Sequence, residues 1–249
     1  MENIFIYTCK GIGYGNQTWF VPAINHFEKN NHFVYTNSIF LNQVFDVSLK
    51  GPDKPDRIYV PMWANWKKVF KLSLLYPTIP RYGFTYRFLG KPYSFGYNYA
   101  VQTDLNRSEH EQIQQLTGHD EPYLVKRREP TVKNRIVMAT SNKPKNGWPY
   151  FHILKHYLLN DGFEVITLGE VGRWVNDLHD LRIELERAEY FIGVDGGIMH
   201  LADILDLKGL VLWGQTPDKN KPLHLKIIKD GLNLKPEKVY SCCQNLLFS

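Results

Sequence analysis

Asp195, Gly196, Gly197 and, one turn further on, His200 stand directly after an apolar run in the stretch "YFIGVDGGIMHLADIL" (190–205). Residues 190–194 read as a strand. Ile198, Leu201, Ala202 and Leu205 then recur at the spacing of one helical face. A strand that ends at an acid and a helix that opens on glycines leave the first helical amides uncovered. Such amides carry partial positive charge and suit a phosphate. Two further loops have matching chemistry. "ATSNKPKNGWP" (139–149) follows the apolar run 135–139 and carries Thr140, Ser141, Lys143 and Lys145, hydroxyls and amines that hold phosphate oxygens. "LGE" (168–170) closes the next run, and Glu170 is placed to take a pair of ribose hydroxyls. Taken singly, His200 reads as a half-buried helix residue and Lys145 as a solvated loop charge. Three such loops at the carboxyl ends of strands point instead to a nucleotide.

The elements that must position these loops alternate. In the second half the strands are "RIVMA" (135–139), "FEVITL" (163–168), "YFIGV" (190–194) and "GLVLW" (209–213). Between the first two lies a helix with Phe151, Leu154, Tyr157 and Leu158 on one face, Pro149 in its first turn and Gly162 at its end. Leu178, Leu181, Leu185 and Ala188 mark the next helix. Alternation of this length predicts α/β architecture with parallel strands and helices on both faces. The first half begins the same way, with "IFIYT" (4–8), a helix over "NQTWFVPAINHFEKN" (16–30), strands at 32–36 and 57–61, and helices at 65–76 and 106–118. The polar, proline-marked segment 119–134 reads as the link, giving domains 1–125 and 126–249.

Between the first strand and helix lies "CKGIGYGNQTW" (9–19), where Gly11, Gly13 and Gly15 give backbone room. Its spacing differs from G-x-G-x-x-G, and no acid follows at the distance a dinucleotide site needs. By itself this loop is a tight turn.

Composition narrows the classes. The 249 residues are 43% hydrophobic and 22% charged, an ordinary globular balance. No apolar run approaches the roughly 20 residues of a membrane span, and no signal peptide is evident, so a cytoplasmic protein without a transmembrane segment is expected. Cys9, Cys242 and Cys243 form neither a disulfide framework nor a metal spacing and read as free thiols. The net charge of +5 is mild. Lys126, Arg127, Arg128, Lys133, Arg135, Lys143 and Lys145 stand against a single acid, Glu129, over 126–145: a solvated linker, or a face that attracts phosphates.

The order strand, "GVDGGIMHLADIL", "GLVLWGQTP", preceded by a lysine loop ending in "GWP", resembles glycosyltransferase family 9, the ADP-heptose:lipopolysaccharide heptosyltransferases. Similarity is specific over 136–217. It extends more weakly to the N-terminus, where "GNQTWFVPAI" (15–24) is similar to that family's Gly-Asp, spacer, Pro-Ala-aliphatic segment. The resemblance implies the GT-B fold, two Rossmann-like domains facing across a cleft, trimmed relative to the family. It implies that Asp195, Gly196, Gly197 and His200 bind the diphosphate side of a nucleotide-diphosphate sugar donor, that Thr140 and Ser141 touch its phosphates, and that Glu170 holds the ribose. The family's lysine falls at Asn146, so the adjacent Lys145 takes that role.

The family's catalytic aspartate falls at Asn16, and an amide cannot act as a base. Another acid takes the proton, the acceptor is activated differently, or the protein does not catalyse. Asp46, Asp104 and His26 are the alternative bases. Gly13 and Gly15 belong with Asn16 on the acceptor side. No D-x-D occurs, which argues against a metal-bridged diphosphate, and no cofactor is implied. The expected function is inverting, metal-independent glycosyl transfer to a lipopolysaccharide or other surface glycan. Hydroxymethylated DNA is the alternative acceptor, with Trp63, Trp66, Tyr82, Tyr86, Tyr93 and Tyr97 as stacking candidates. A non-catalytic sugar-nucleotide-binding protein is the third reading.

Overall fold

The computed structural model describes residues 1–8, 14–60, 66–88, 91–94, 96–104, 106–129, 131–140, 147–169, 177–214 and 216–246. The chain divides into two compact units, Met1–Tyr123 with Asp218–Asn220, and Leu124–Pro217 with Lys221–Ser249.

The first unit runs β1 (Asn3–Ile6), α1 (Tyr14–Thr18), α2 (Val21–Lys29), β2 (Phe33–Thr36), α3 (Ile39–Phe45), β3 (Arg57–Tyr59), α4 (Trp66–Leu75), β4 (Arg81–Phe84), β5 (Tyr86–Phe88), β6 (Lys91–Tyr93), β7 (Tyr99–Val101) and α5 (Glu109–Thr117). Its sheet has the order β2-β1-β3-β4-β7, with every neighbour parallel. β5 and β6 form a separate antiparallel hairpin. The second unit runs β8 (Arg135–Ala139), α6 (Phe151–Asn160), β9 (Glu164–Leu168), α7 (Leu178–Arg187), β10 (Tyr190–Val194), α8 (Gly197–Ile204), β11 (Lys208–Trp213), β12 (Lys226–Lys229) and α9 (Pro236–Leu246). Its order is β12-β11-β10-β8-β9, again all parallel. Numbered along its own unit, each sheet has the order 2-1-3-4-5, a doubly wound arrangement whose direction reverses between its first and third strands. Ligands of such sheets bind beyond the carboxyl ends of the strands at that reversal. In the second unit the reversal lies between β8 and β10, and in the first between β1 and β3.

Local chemistry sets the helix ends. Ser38 opens α3 by accepting from the Leu41 amide, Ser108 opens α5 by accepting from the Glu111 amide, and Asp177 opens α7 by accepting from the His179 amide. α5 closes on Gly118 in the left-handed region, φ 73°. The helix expected over 16–30 is broken. α1 stops at Thr18, a turn at Trp19 and Phe20 follows, and α2 starts at Val21. Pro22 has no amide hydrogen for the Thr18 carbonyl, and its ring crowds the preceding turn. α3, β12 and α9 were not expected from the sequence.

The first core joins Phe5, Ile58 and Val60 of the sheet to Val69 and Leu72 of α4. The second joins Ile136 and Met138 of β8 to Trp148, Phe151 and Leu154, and Leu210 and Leu212 to Val239 of α9. Cys242 and Cys243 are free thiols, and burial pushes the Cys243 thiol up to about 12, which leaves it unreactive. Cys9 lies outside the described residues. Among the described residues no helix is long and apolar enough to cross a membrane.

Candidate functional site

In the second unit, β8 and β10 pair in parallel with Ala139 opposite Gly193, so the segments that follow both strands leave the sheet at one place. Thr140 is the first residue after β8. Its amide donates to the Leu168 carbonyl at 2.9 Å and its hydroxyl to the same carbonyl at 3.1 Å, which ties this loop to the end of β9. With its one proton given to Leu168, the hydroxyl oxygen is left with acceptor capacity only. Gly169 lies against it in the left-handed region, φ 98°. A Cβ there would stand 2.5 Å from the Thr140 carbonyl oxygen, so this crossing requires glycine.

After β10, Asp195 is half-buried, and its Oδ2 accepts from the Thr216 hydroxyl at 2.8 Å. Thr216 follows β11, so this bond joins two adjacent loops at the carboxyl edge. Gly196 is exposed, has extended backbone (φ 166°, ψ 176°) and precedes α8 without a side-chain cap. A Cβ at Gly196 would meet nothing within 4 Å. The first intrahelical bond runs from the His200 amide to the Gly196 carbonyl at 3.3 Å, so the amides of residues 197–199 have no partner within the helix ladder. An opening turn of this kind suits an anion.

α8 is buried from Met199 to Ile204. His200 lies within that buried stretch, and burial pushes its imidazole down to about 3. It is therefore neutral near pH 7. In the unfolded chain the imidazole titrates near its ordinary 6.5, and between 6.5 and about 3 it binds a proton that the folded chain refuses. This contribution to stability is complete above pH 6.5 and is lost as pH falls, at up to about 1.4 kcal/mol per pH unit. His119 in the first unit, held down to about 4 by burial and by neighbouring His110 and His26, acts in the same direction. Chemical denaturation between pH 7.5 and 4.5 is expected to give a shallower fall for His200→Asn than for the wild type; equal slopes would contradict this account of His200.

Asp203 was overlooked in the sequence. It is fully buried, and its carboxylate accepts three backbone amides, Leu223 at 2.8 Å, His224 at 2.8 Å and Leu225 at 3.0 Å. Burial pushes its carboxyl above the usual value, against the pull of those three donors. The signal is an acid on a helix whose other residues, His200 apart, are apolar or glycine. Ser141, Lys145 and Glu170, expected at this site, lie outside the described residues.

In the first unit the corresponding place is the start of α1. Thr8, after β1, is latched to Asn37, after β2: the Asn37 Oδ1 accepts from the Thr8 amide at 2.7 Å, and its Nδ2 donates to the Thr8 carbonyl at 2.9 Å. Gly15 is buried and its carbonyl accepts from the Thr18 hydroxyl at 2.7 Å. The Gln17 side chain is buried against Ser38, and Tyr14 stacks on Phe40. Asn16, between these fixed residues, is half-buried at the carboxyl edge of the sheet. Gly13 lies outside the described residues. Of the alternative bases, His26 sits in the last turn of α2, which leads to the start of β2 and so to the amino edge. Asp46 closes α3 in the left-handed region, φ 62°, also leading away from the carboxyl edge. Asp104 does follow the carboxyl end of β7, but its Oδ1 accepts the Asn106 amide at 2.8 Å in a turn two strands away from β3.

Two basic residues of the segment 126–145, Arg127 and Arg135, serve the structure. The Arg127 guanidinium donates to the carbonyls of Leu205, Asp206 and Ala188, capping the ends of α8 and α7. Arg135 makes a two-pronged pair with Glu164, both bonds at 2.9 Å. Among the stacking candidates, Tyr82 stacks on Tyr59 at 4.9 Å and Tyr97 packs against the core, while Trp66 is 41% exposed. Trp63 and the side chains of Tyr86 and Tyr93 lie outside the described residues. Among the described residues no three His, Cys, Asp or Glu side chains group as a metal ion requires.

No protein-family model matches the sequence, and no curated protein matches it. Solved structures do. The glycosyl transferase family 9 protein from Veillonella parvula superposes with a TM-score of 0.71 over 99% of this chain and 97% of its own, at 15% identity. The E. coli heptosyltransferase WaaC with ADP-2-deoxy-2-fluoro heptose gives 0.69 over 98% and 99%, at 13% identity. The E. coli ADP-heptose LPS heptosyltransferase II gives 0.68 over 99% and 98%, at 13% identity. The fold is that of the family 9 glycosyltransferases. The likeness spans nearly the full length of each chain, so both doubly wound units are shared. At this identity it is a likeness of fold, and function rests on the site itself.

Proposed function

We propose that this protein transfers a glycosyl group from a nucleotide-diphosphate sugar to an acceptor hydroxyl, with the donor held in the second unit. The observation that carries this reading is the uncapped, glycine-lined opening turn of α8 at the strand-order reversal. Two of the similar structures are of an E. coli heptosyltransferase with ADP and with ADP-2-deoxy-2-fluoro heptose, ligands of the class this turn fits. The amides of residues 197–199 meet the diphosphate and stabilise the charge that grows on it as the sugar leaves. Asp195 and Thr216 set the loop. Thr140, Ser141 and Lys145 are assigned to the phosphates and Glu170 to the ribose.

Inverting transfer without metal is part of the proposal, because a preset helix start supplies the charge stabilisation that a cation would otherwise give. Asn16, Gly13 and Gly15 serve the acceptor, which we take to be a lipopolysaccharide or other surface glycan. Arg127 and Arg135 are committed to helix carbonyls and to Glu164, which removes two charges from the phosphate-binding face that the DNA reading needs. Asn16 has no basic oxygen and acts by orienting hydroxyls.

Asn16→Ala is therefore expected to lower turnover about a hundred-fold in a donor-consumption assay run in EDTA, with nucleotide affinity unchanged. Abolished nucleotide binding in a folded Asn16→Ala variant would contradict the assignment of Asn16 to the acceptor. A strict need for a divalent ion would contradict the metal-free chemistry.

A further inference from the structure

The outward face of α4 gathers exposed apolar side chains and lysines. Val69 and Leu72 of this helix are buried in the first unit's core. Arg81 fixes its far end, its guanidinium donating to the carbonyls of Tyr76 at 2.6 Å, Ile79 at 3.0 Å and Gly96 at 2.7 Å. Held this way, α4 turns Trp66, Phe70 and Leu74 outward at 41%, 40% and 66% exposure, spaced four residues apart in one stripe. Leu75, 62% exposed, lies further round the same outward side. Lys67 and Lys71, both exposed, border the stripe, and the Lys67 ammonium lies 5.8 Å from the Trp66 ring centre. The sequence holds no Asp or Glu from residue 57 to residue 103.

We propose that α4 docks the protein on an anionic lipid bilayer, lying in the interface plane with Trp66, Phe70 and Leu74 among the acyl chains and its lysines at the headgroups. An apolar stripe of aromatic and leucine side chains with lysines beside it is the pattern of a helix that lies on a membrane. Charge complementarity selects the occupant. A second copy of the same face would set the lysines of one α4 against those of the other, and the helix itself carries no Asp or Glu. A nucleic acid would meet the lysines but leave two leucines, each more than 60% exposed, without an apolar partner. An anionic bilayer satisfies both, drawing in each basic residue and burying the stripe. The inference stands apart from the proposed glycosyl transfer, and its test involves no nucleotide.

The test is co-sedimentation of the full chain with phosphatidylcholine vesicles, with and without phosphatidylglycerol, beside a double-stranded DNA retention assay. The wild type is expected to sediment with the phosphatidylglycerol vesicles and much less with the neutral ones. Lys67→Gln and Lys71→Gln should each lower the partition about five-fold. Leu74→Glu should lower it at least ten-fold with the melting temperature unchanged; if that variant proves unstable, Leu75→Ser serves in its place. No sedimentation by the wild type, equal binding to neutral vesicles, wild-type binding by the lysine variants, or retention on DNA without vesicle binding would each overturn the proposal.

Discussion

Asp203→Ala is expected to lower the unfolding free energy of the second unit by about 3–5 kcal/mol. The side chain accepts three backbone amides from residues 223–225, the segment that leads into β12, while sitting fully buried in α8. Alanine would strand three amide donors away from water, and each such orphan costs about 1–3 kcal/mol. It would also free the segment that brings β12 to the sheet edge. Asp203→Asn should fall between alanine and the wild type. Its one carbonyl oxygen can keep the His224 and Leu225 amides, but its amino group then faces the Leu223 amide, donor against donor. Hydrogen exchange at the β10 and β11 amides is the suitable measurement, because two compact units can unfold separately. A loss below 1 kcal/mol in Asp203→Ala would show that these bonds are replaced by water at little cost.

β8 and β10 match the expected strands residue for residue, because parallel strands covered on both faces read as unbroken apolar runs. The same physics exposed the "DGG" junction and its helix. β12, Lys226–Lys229, has two charged ends around two isoleucines and lies at the edge of its sheet, so it gives no such run. In α9 the buried residues are only Pro236, Val239 and Cys243, too sparse to stand out as a face. The break between α1 and α2 follows from Pro22, whose missing amide hydrogen the expectation of one helix over 16–30 does not take into account. Side-chain service to the backbone was not legible. Arg127 reads as one of a cluster of charges and proves to hold the ends of two helices, and Asp203 draws no notice in the sequence. Such roles depend on carbonyls and amides far away in the chain, which no local spacing displays.

Gly196→Glu separates binding from folding more cleanly than a change at Asp195 or His200. Asp195 joins two loops through Thr216, and His200 is packed in the unit's interior, so truncating either disturbs structure as well as any ligand. Gly196 is exposed, its backbone is extended and suits any residue, and a Cβ there meets open space. A carboxylate at this position should even favour α8 by about 0.3–1 kcal/mol, since it sits at the positive end of the helix. The same carboxylate would occupy the opening turn and repel a diphosphate. The expected loss of nucleotide affinity is at least about a hundred-fold, which is about 2.7 kcal/mol. The decisive measurement is a calorimetric titration of ADP, UDP, GDP and CMP into the wild type and Gly196→Glu, with the melting temperature of each recorded. One nucleoside diphosphate should bind the wild type and fail to bind Gly196→Glu, while the variant melts at the wild-type temperature or slightly above. Equal affinity in the two proteins, or a wild type that binds none of the four, would contradict a donor site at the start of α8.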